Sequence, residues 1–252
     1  MGTDILLGTQ GWSCKAWVGD FYPARTPAAR FLHEYARHFR AVEIDSTFYA
    51  IPRKEIVLRW RDATPEHFRF APKFPKTISH EKVLVSVENE TDVFIGTMRL
   101  FGEKLGPLVL QFPFQFTPIH SQRLAQYLAR LPRDLRYAIE VRHPDWFTDA
   151  FYDLLTQHRV ALVLSDYGKM PSHFPVTTDF VYIRLLGNRN DFASGQVHQL
   201  IDRVTSLSRW SNLISDFANR GVTVWGFAND IYQGHAPTTI NLLLRKLESV
   251  EL

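Results

Sequence analysis

With 252 residues, 45% hydrophobic and 13% aromatic, the chain can bury a substantial core, and no apolar run approaches the ~20 residues needed to cross a bilayer. Its single cysteine, Cys14, rules out an intrachain disulfide and a thiolate metal cluster within one chain. A net charge of +3, with lysines and arginines dispersed along the sequence, is too diffuse for charge-driven nucleic-acid binding.

Short strand-like runs alternate with stretches of helical spacing from end to end. ILLG (5–8) is followed by Phe31, Leu32, Tyr35, Ala36 and Phe39 on one helical face. AVEID (41–45), a helical pattern over 56–60, FRFAPKF (68–74) and another over 93–101 continue the alternation. PLVLQF (107–112) precedes a helix at 124–131, and RYAIEVR (136–142) precedes one at 151–158. VALVLSD (160–166) leads into YGKMPSHFPVTTD, whose two prolines leave room for a loop or a single helical turn. FVYIRLL (180–186), a helix carrying Leu200, Val204, Leu207, Ile214 and Phe217, VTVWGFA (222–228) and a helix over 240–247 complete the series. Eight strands, each but one followed by a helix and with no break in composition, predict a closed (β/α)8 TIM-type barrel spanning 1–252 as a single domain. A doubly wound open sheet is the alternative. MGTDILLGTQGW carries no basic stretch before an apolar segment, so the chain reads as soluble and cytoplasmic, with no membrane partner.

In such a barrel the site lies at the C-terminal ends of the strands. Those ends are polar: Gln10 and Trp12 after the first strand, Glu43 and Asp45 in the second, Lys73 in the third and Gln111 in the fourth. Glu140, Arg142 and His143 close the fifth, Asp166 the sixth, Arg184 lies in the seventh, and Asn229 and Asp230 follow the eighth. Glu43 shares parity with Asp45, and Glu140 with Arg142, so these side chains point inward. Pairing of Glu140 with Arg142 or Arg184, and of Lys73 with Glu43, would fill the mouth with ions. Buried pairs give little net stability, yet losing one partner costs about 3–5 kcal/mol. A whole ring of charge at one end therefore points to a polar ligand site.

Other motifs are weak. Glu43, Asp45, Glu140, His143, Asp166 and His80 offer metal ligands, but no HxH, HExxH or EF-hand spacing is present, and Lys73, Arg142 and Arg184 bring three cations to the same place. That balance disfavours a divalent metal, which stays the less favoured alternative, and the need for any cofactor is left open. No phosphate loop or nucleophile elbow occurs. Gly187 and Arg189, in LLGNRND after the seventh strand, stand where barrels often hold phosphate.

GTQGWSCKAWVGDFYP, VEIDSTFYAIP, FRFAPKFPKTISH, LGPLVLQFPFQF and YAIEVRHPDWF resemble, in order, segments of the YecE-like family, known as domain of unknown function 72. FANDIYQGHAPTTINLLLRKL is similar to that family's closing segment, with Asp230 where many relatives carry a second Asn. The resemblance implies a TIM-type barrel and no established reaction. It places Glu43, Asp45, Lys73, Gln111, Glu140, Arg142, His143 and Asn229 within the family's motif segments.

The functional expectation is an enzyme, a hydrolase, lyase or isomerase, acting on a small polar or anionic substrate such as a sugar, sugar phosphate or carboxylate. Glu140 or Asp45 serves as acid or base, Lys73 as electrophile or second base, and His143 as proton shuttle. Arg142 and Arg184 act as anion clamps; Glu43, Gln111, Asn229 and Trp12 complete the binding surface. A nucleic-acid-binding, nuclease-like barrel and a non-catalytic ligand binder are the alternatives, the former marked by strong salt dependence. Oligomeric state is not fixed by the sequence.

Overall fold

Strands that are apolar on both faces require cover on both sides. All eight predicted runs are strands with that burial. The computed structural model describes residues 4–166, 175–192 and 200–249. The strands are β1 Ile5–Thr9, β2 Ala41–Ile44, β3 Arg69–Pro72, β4 Leu108–Gln111, β5 Tyr137–Glu140, β6 Val160–Ser165, β7 Phe180–Leu185 and β8 Thr223–Ala228. The helices are α1 Phe31–Tyr35, α2 Lys54–Asp62, α3 Glu88–Met98, α4 Ser121–Arg130, α5 Asp149–His158, α6 Val204–Asn219, α7 Asp230–Gln233 and α8 Ala236–Glu248. No helix among the described residues is long and apolar enough to cross a membrane.

All the pairings are parallel. Six strands form one sheet in the order β1-β8-β7-β6-β5-β4, while β2 and β3 form a second. The two sheets meet at two seams. At one, Gly11 N–H donates to the Glu43 carbonyl at 2.8 Å. At the other, Gly106 N–H donates to Phe70 O at 2.7 Å and Phe74 N–H to Val109 O at 2.9 Å.

The β1–β2 seam relies on a side chain as well. Thr9 N–H donates to the Tyr35 hydroxyl at 2.7 Å, and that hydroxyl donates to Ala41 O at 3.1 Å. The phenol thus stands in for a ladder bond between buried backbone groups. Gly8 makes room for it: a Cβ there would lie 1.9 Å from Ala41 O and 2.8 Å from the Tyr35 oxygen.

Two apolar layers follow from the strand period. Leu6, Ala41, Ala71, Val109, Ala138, Ala161, Val163, Phe180, Tyr182, Trp225 and Phe227 form an inner cluster to which every strand contributes. The opposite strand faces pack under the helices, whose buried residues recur at helical spacing, as in Leu207, Trp210, Ile214 and Phe217 of α6. Leu200, expected on that face, instead precedes the helix and is exposed; the Asp202 carboxylate accepts from Val204 N–H at 2.8 Å and starts the first turn downstream. Of the β6–β7 crossover, read as lacking a full helix, residues 167–174 lie outside the described residues, and 175–179 are not helical.

Replacing Tyr35 with Phe removes one oxygen and leaves Thr9 N–H and Ala41 O buried without it. Urea unfolding of Tyr35→Phe is expected to show a loss of about 1–3 kcal/mol with an unchanged m-value. A loss within error of zero would mean that the hydroxyl does not hold the seam.

Candidate active site

One step beyond the inner apolar layer the strands turn polar. Ala41, Ala71, Val109, Ala138, Val163 and Tyr182 are inner-layer residues. Two positions on, and so on the same face, stand Glu43, Lys73, Gln111, Glu140, Ser165 and Arg184, all buried.

Arg184, 2% exposed, is the centre of this layer. Its Nη2 donates to Glu43 Oε1 at 2.8 Å and its Nη1 to Glu140 Oε2 at 2.5 Å. With its amide oxygen turned inward, Gln10 accepts from Arg184 Nε at 3.0 Å. The second oxygens of both glutamates are also used. Tyr182 donates its phenol proton to Glu43 Oε2 at 2.7 Å, and Arg142 Nε donates to Glu140 Oε1 at 3.0 Å. Glu140 therefore pairs with both arginines that the sequence offered it.

Lys73 departs from expectation. Its Nζ meets Asp45 Oδ1 at 3.1 Å, not Glu43, and lies 4.0 Å from the centre of the Phe48 ring. The reason is local: β2 ends at Ile44 and the chain tightens into a 3-10 turn over Asp45–Phe48. Thr47 Oγ1 pins that turn, 2.7 Å from the carbonyls of both Ile44 and Lys73 and accepting from Lys73 N–H at 3.0 Å. The turn brings the Asp45 carboxylate to the amine. The Lys73 side chain is 8% exposed and that of Asp45 37%, so the pair spans the boundary between buried network and solvent.

The two buried glutamates titrate in opposite senses. Burial raises Glu43 above the usual carboxylate range, and the like charge of Asp45 adds to this against the pull of Arg184 and Lys73. Burial also acts to raise Glu140, but Arg184, Arg142 and Lys73 outweigh it and hold it below that range. Lys73 is lowered by burial and by the Arg184 charge, against three carboxylates that favour its protonated form.

The remaining predicted residues lie around this network. The Gln111 amide donates to Phe112 O at 3.1 Å and lies 3.4 Å from His80 Nε2. His143 is in the turn after β5, its ring against Phe114 and its Nδ1 accepting from Asp145 N–H at 3.3 Å. Asn229 caps α7 by accepting from Tyr232 N–H at 3.1 Å. Trp12 packs edge-on to Trp60 with ring centres 5.1 Å apart. Glu43, Asp45, Lys73, Glu140, Arg142 and Arg184 are thus brought together, while His143, Asn229 and Trp12 have these other partners.

Two residues of the site escaped the sequence reading. Tyr182 shares parity with Arg184, which would have turned it inward. His80, considered only as a metal ligand, sits in a single π-type turn over Thr77–Glu81, which no periodicity announces; its Nδ1 is 2.8 Å from Ser79 Oγ and its ring lies edge-on to Phe48.

Beside Asp45 opens a cavity of about 200 Å³, lined by Gln10, Trp12, Ser13, Cys14, Ser46 and Asp230 among others. Asp230 Oδ1 accepts from Trp17 Nε1 at 3.1 Å and from Ala236 N–H at 2.8 Å. After β7, where Gly187 suggested a phosphate site, the Asp166 carboxylate accepts from Leu186 N–H at 2.7 Å and from Gly187 N–H at 3.4 Å. Among the described residues, no three His, Cys, Asp or Glu side chains are grouped to hold a metal ion.

Residues 6–251 match the family described as "Protein of unknown function DUF72". The chain belongs to that family. UPF0759 protein YecE of Escherichia coli K12 is 39% identical over 143 residues, 57% of this chain and 50% of the relative. UPF0759 protein YunF of Bacillus subtilis 168 is 29% identical over 157 residues, 59% of this chain and 54% of the relative. The matched stretch thus spans about half the length of these curated relatives. A DUF72 family crystal structure from Thermotoga maritima is similar at a TM-score of 0.80 and 28% identity, covering 97% of this chain and 99% of that one. In fold alone, D-psicose 3-epimerase from Clostridium cellulolyticum is similar at a TM-score of 0.54 and 8% identity, over 98% of this chain and 97% of that one. The fold is α/β and TIM-barrel-like.

Arg184→Met leaves two buried carboxylates facing each other and is expected to destabilise by about 3–5 kcal/mol. Arg142→Ala should cost less, because the Arg142 side chain is 31% exposed and Glu140 keeps Arg184. Equal losses in denaturant melts would show that Arg184 is not the centre. Acid adds a second test. Burial, with the charges of Lys73 and Arg142, lowers His80 from 6.5 to about 4. Between those values the unfolded chain binds the extra proton, so stability falls as pH drops from 6.5 toward 4. His80→Gln should flatten that part of the pH–Tm curve and leave the steeper loss at lower pH, where Glu140 becomes protonated. An unchanged curve would mean that His80 titrates normally.

Proposed function

We propose that the eight strands close into one (β/α)8 barrel forming a single domain over 1–252, and that its C-terminal mouth is the active site of an enzyme acting on a small polar substrate. The backbone bonds across both seams and the inner cluster drawn from every strand support closure. The placement of the charged layer supports the site, since barrels of this kind work at that end.

One observation carries the enzymatic reading. Most of the charged layer satisfies itself: Arg184 has three acceptors and both glutamates use both oxygens. Such a buried network serves to hold side chains in place. The Lys73–Asp45 pair differs, joining a buried amine to a half-exposed carboxylate on a cavity wall. A lysine lowered by burial delivers or removes a proton nearer neutrality than an ordinary amine, and Asp45 exchanges that proton with substrate or solvent. Glu43, Glu140 and the arginines then act as the frame that fixes the pair, and His143 is a rim residue instead of the proton shuttle.

A library of polar metabolites tested by thermal shift should contain a compound that raises Tm by mass action. Lys73→Met, close in length and without charge, should retain the fold and lose that shift. With a substrate in hand, Asp45→Asn should lower turnover by about 10²–10⁴. If no polar metabolite shifts the melt, or if Lys73→Met binds and turns over like the parent, the proposal fails.

A further inference from the structure

Backbone N–H groups at loop and helix starts on the C-terminal face are the usual hosts of a phosphate in α/β barrels. Here three such places are already occupied by the protein's own oxygens. The N–H groups of Leu186 and Gly187, after β7, point at the Asp166 carboxylate. The N-terminus of α7 is capped by Asn229 Oδ1 on Tyr232 N–H. At the start of α8, Ala236 N–H donates to Asp230 Oδ1 at 2.8 Å, and Thr238 N–H donates to His235 Nδ1 at 3.3 Å.

The cations are committed in the same way. Arg184 is 2% exposed and donates to Glu43, Glu140 and Gln10, and Lys73 faces Asp45. What the cavity shows a ligand is different. Among the described residues, its wall carries two carboxylates, Asp45 and Asp230, and the Cys14 thiol, and no lysine or arginine. Asp230 is held by neutral donors, the Trp17 indole and the Ala236 amide, with the Cys14 thiol 3.7 Å from Oδ2. Ser13, Ser46 and Gln10 add hydroxyl and amide groups, and Trp12 and Trp17 supply aromatic surface.

We infer that this cavity takes an unphosphorylated polyol, neutral or amino-bearing, and discriminates against phosphorylated and carboxylated forms of the same compound. Carboxylates accept from hydroxyl and ammonium groups, and indole faces pack on the C–H face of a sugar ring. An anion would instead meet Asp230, held by neutral donors, and Asp45, to which Lys73 at 3.1 Å and Arg184 at 4.0 Å are already committed, with the amide groups described above filled as well. The cavity volume of about 200 Å³ suits one small sugar-sized molecule. This inference rests on the proposed function, narrowing its substrate class to one of the chemistries a polar mouth admits.

The test uses four probes on the full chain: D-fructose, D-glucosamine and the 6-phosphate of each, by thermal shift and calorimetry. An unphosphorylated sugar should bind, and its phosphate at least about tenfold more weakly. Ser13→Trp, an exposed position on the cavity wall, should abolish binding without loss of fold. Asp230→Asn, which keeps an oxygen for Ala236 N–H, should weaken glucosamine more than fructose. Phosphates that bind as well as the free sugars, or a shift that survives Ser13→Trp, overturn the inference. So does silence from all four probes. An anionic metabolite whose binding is lost in Lys73→Met would overturn this inference and leave the proposed function standing, whereas failure of every polar metabolite removes both.

Discussion

A guanidinium cannot shed its charge, so once Arg184 is buried the surrounding chain has to answer it. It does so from three strands at once: Glu43 from β2, Glu140 from β5 and Gln10 just beyond β1. The planar fork of arginine makes this geometry specific, because its donors leave in fixed directions. Tyr182 and Arg142 then complete the glutamates. Removing Arg184 strips both buried glutamates of a shared partner, which is why the layer behaves as a unit and not as a set of separate pairs.

Below that layer the inner cluster is uneven in size. Four alanines, Ala41, Ala71, Ala138 and Ala161, face Trp225, Phe227, Phe180 and Tyr182. Large side chains on β7 and β8 fill the space left by small ones on β2, β3, β5 and β6, the complementarity that close packing requires. The arrangement reaches into the loop before β4, where a Cβ on Gly106 would come within 2.7 Å of the Trp225 ring. Phe180 and Tyr182, four and two residues before Arg184 on the same face, are buried in this cluster, so the ion contacts above them sit over apolar ground where charges interact strongly.

Much of this was legible in the sequence, because a period of two fixes which side chains share a face. Parity turns Glu43 and Glu140 inward, and in the structure both meet Arg184. Parity does not fix angular position: the sequence pairs Lys73 with Glu43, and the turn over Asp45–Phe48 brings Asp45 to it instead. Beyond the last strand position, parity says nothing of where a side chain points. His143, read as a proton shuttle, and Asn229, read as part of the binding surface, each also cap a turn or helix, a role set by local backbone geometry. Tyr182 was hidden by its chemistry: a phenol inside an apolar strand reads as core until its hydroxyl is seen on Glu43.

The division of the strands into a sheet of six and a pair has an electrostatic corollary. The pair contributes Glu43, Asp45 and Lys73 to the polar layer, two carboxylates and one ammonium. The six contribute Glu140 and Arg184, with Arg142 immediately after β5, one carboxylate and two guanidiniums. The two groups of strands therefore carry excess charge of opposite sign, and the Arg184–Glu43 contact ties β7 of one to β2 of the other across the interior. The Lys73–Asp45 pair thus stands on the two-stranded side, and Glu43, from the same side, couples it to the arginine of the six.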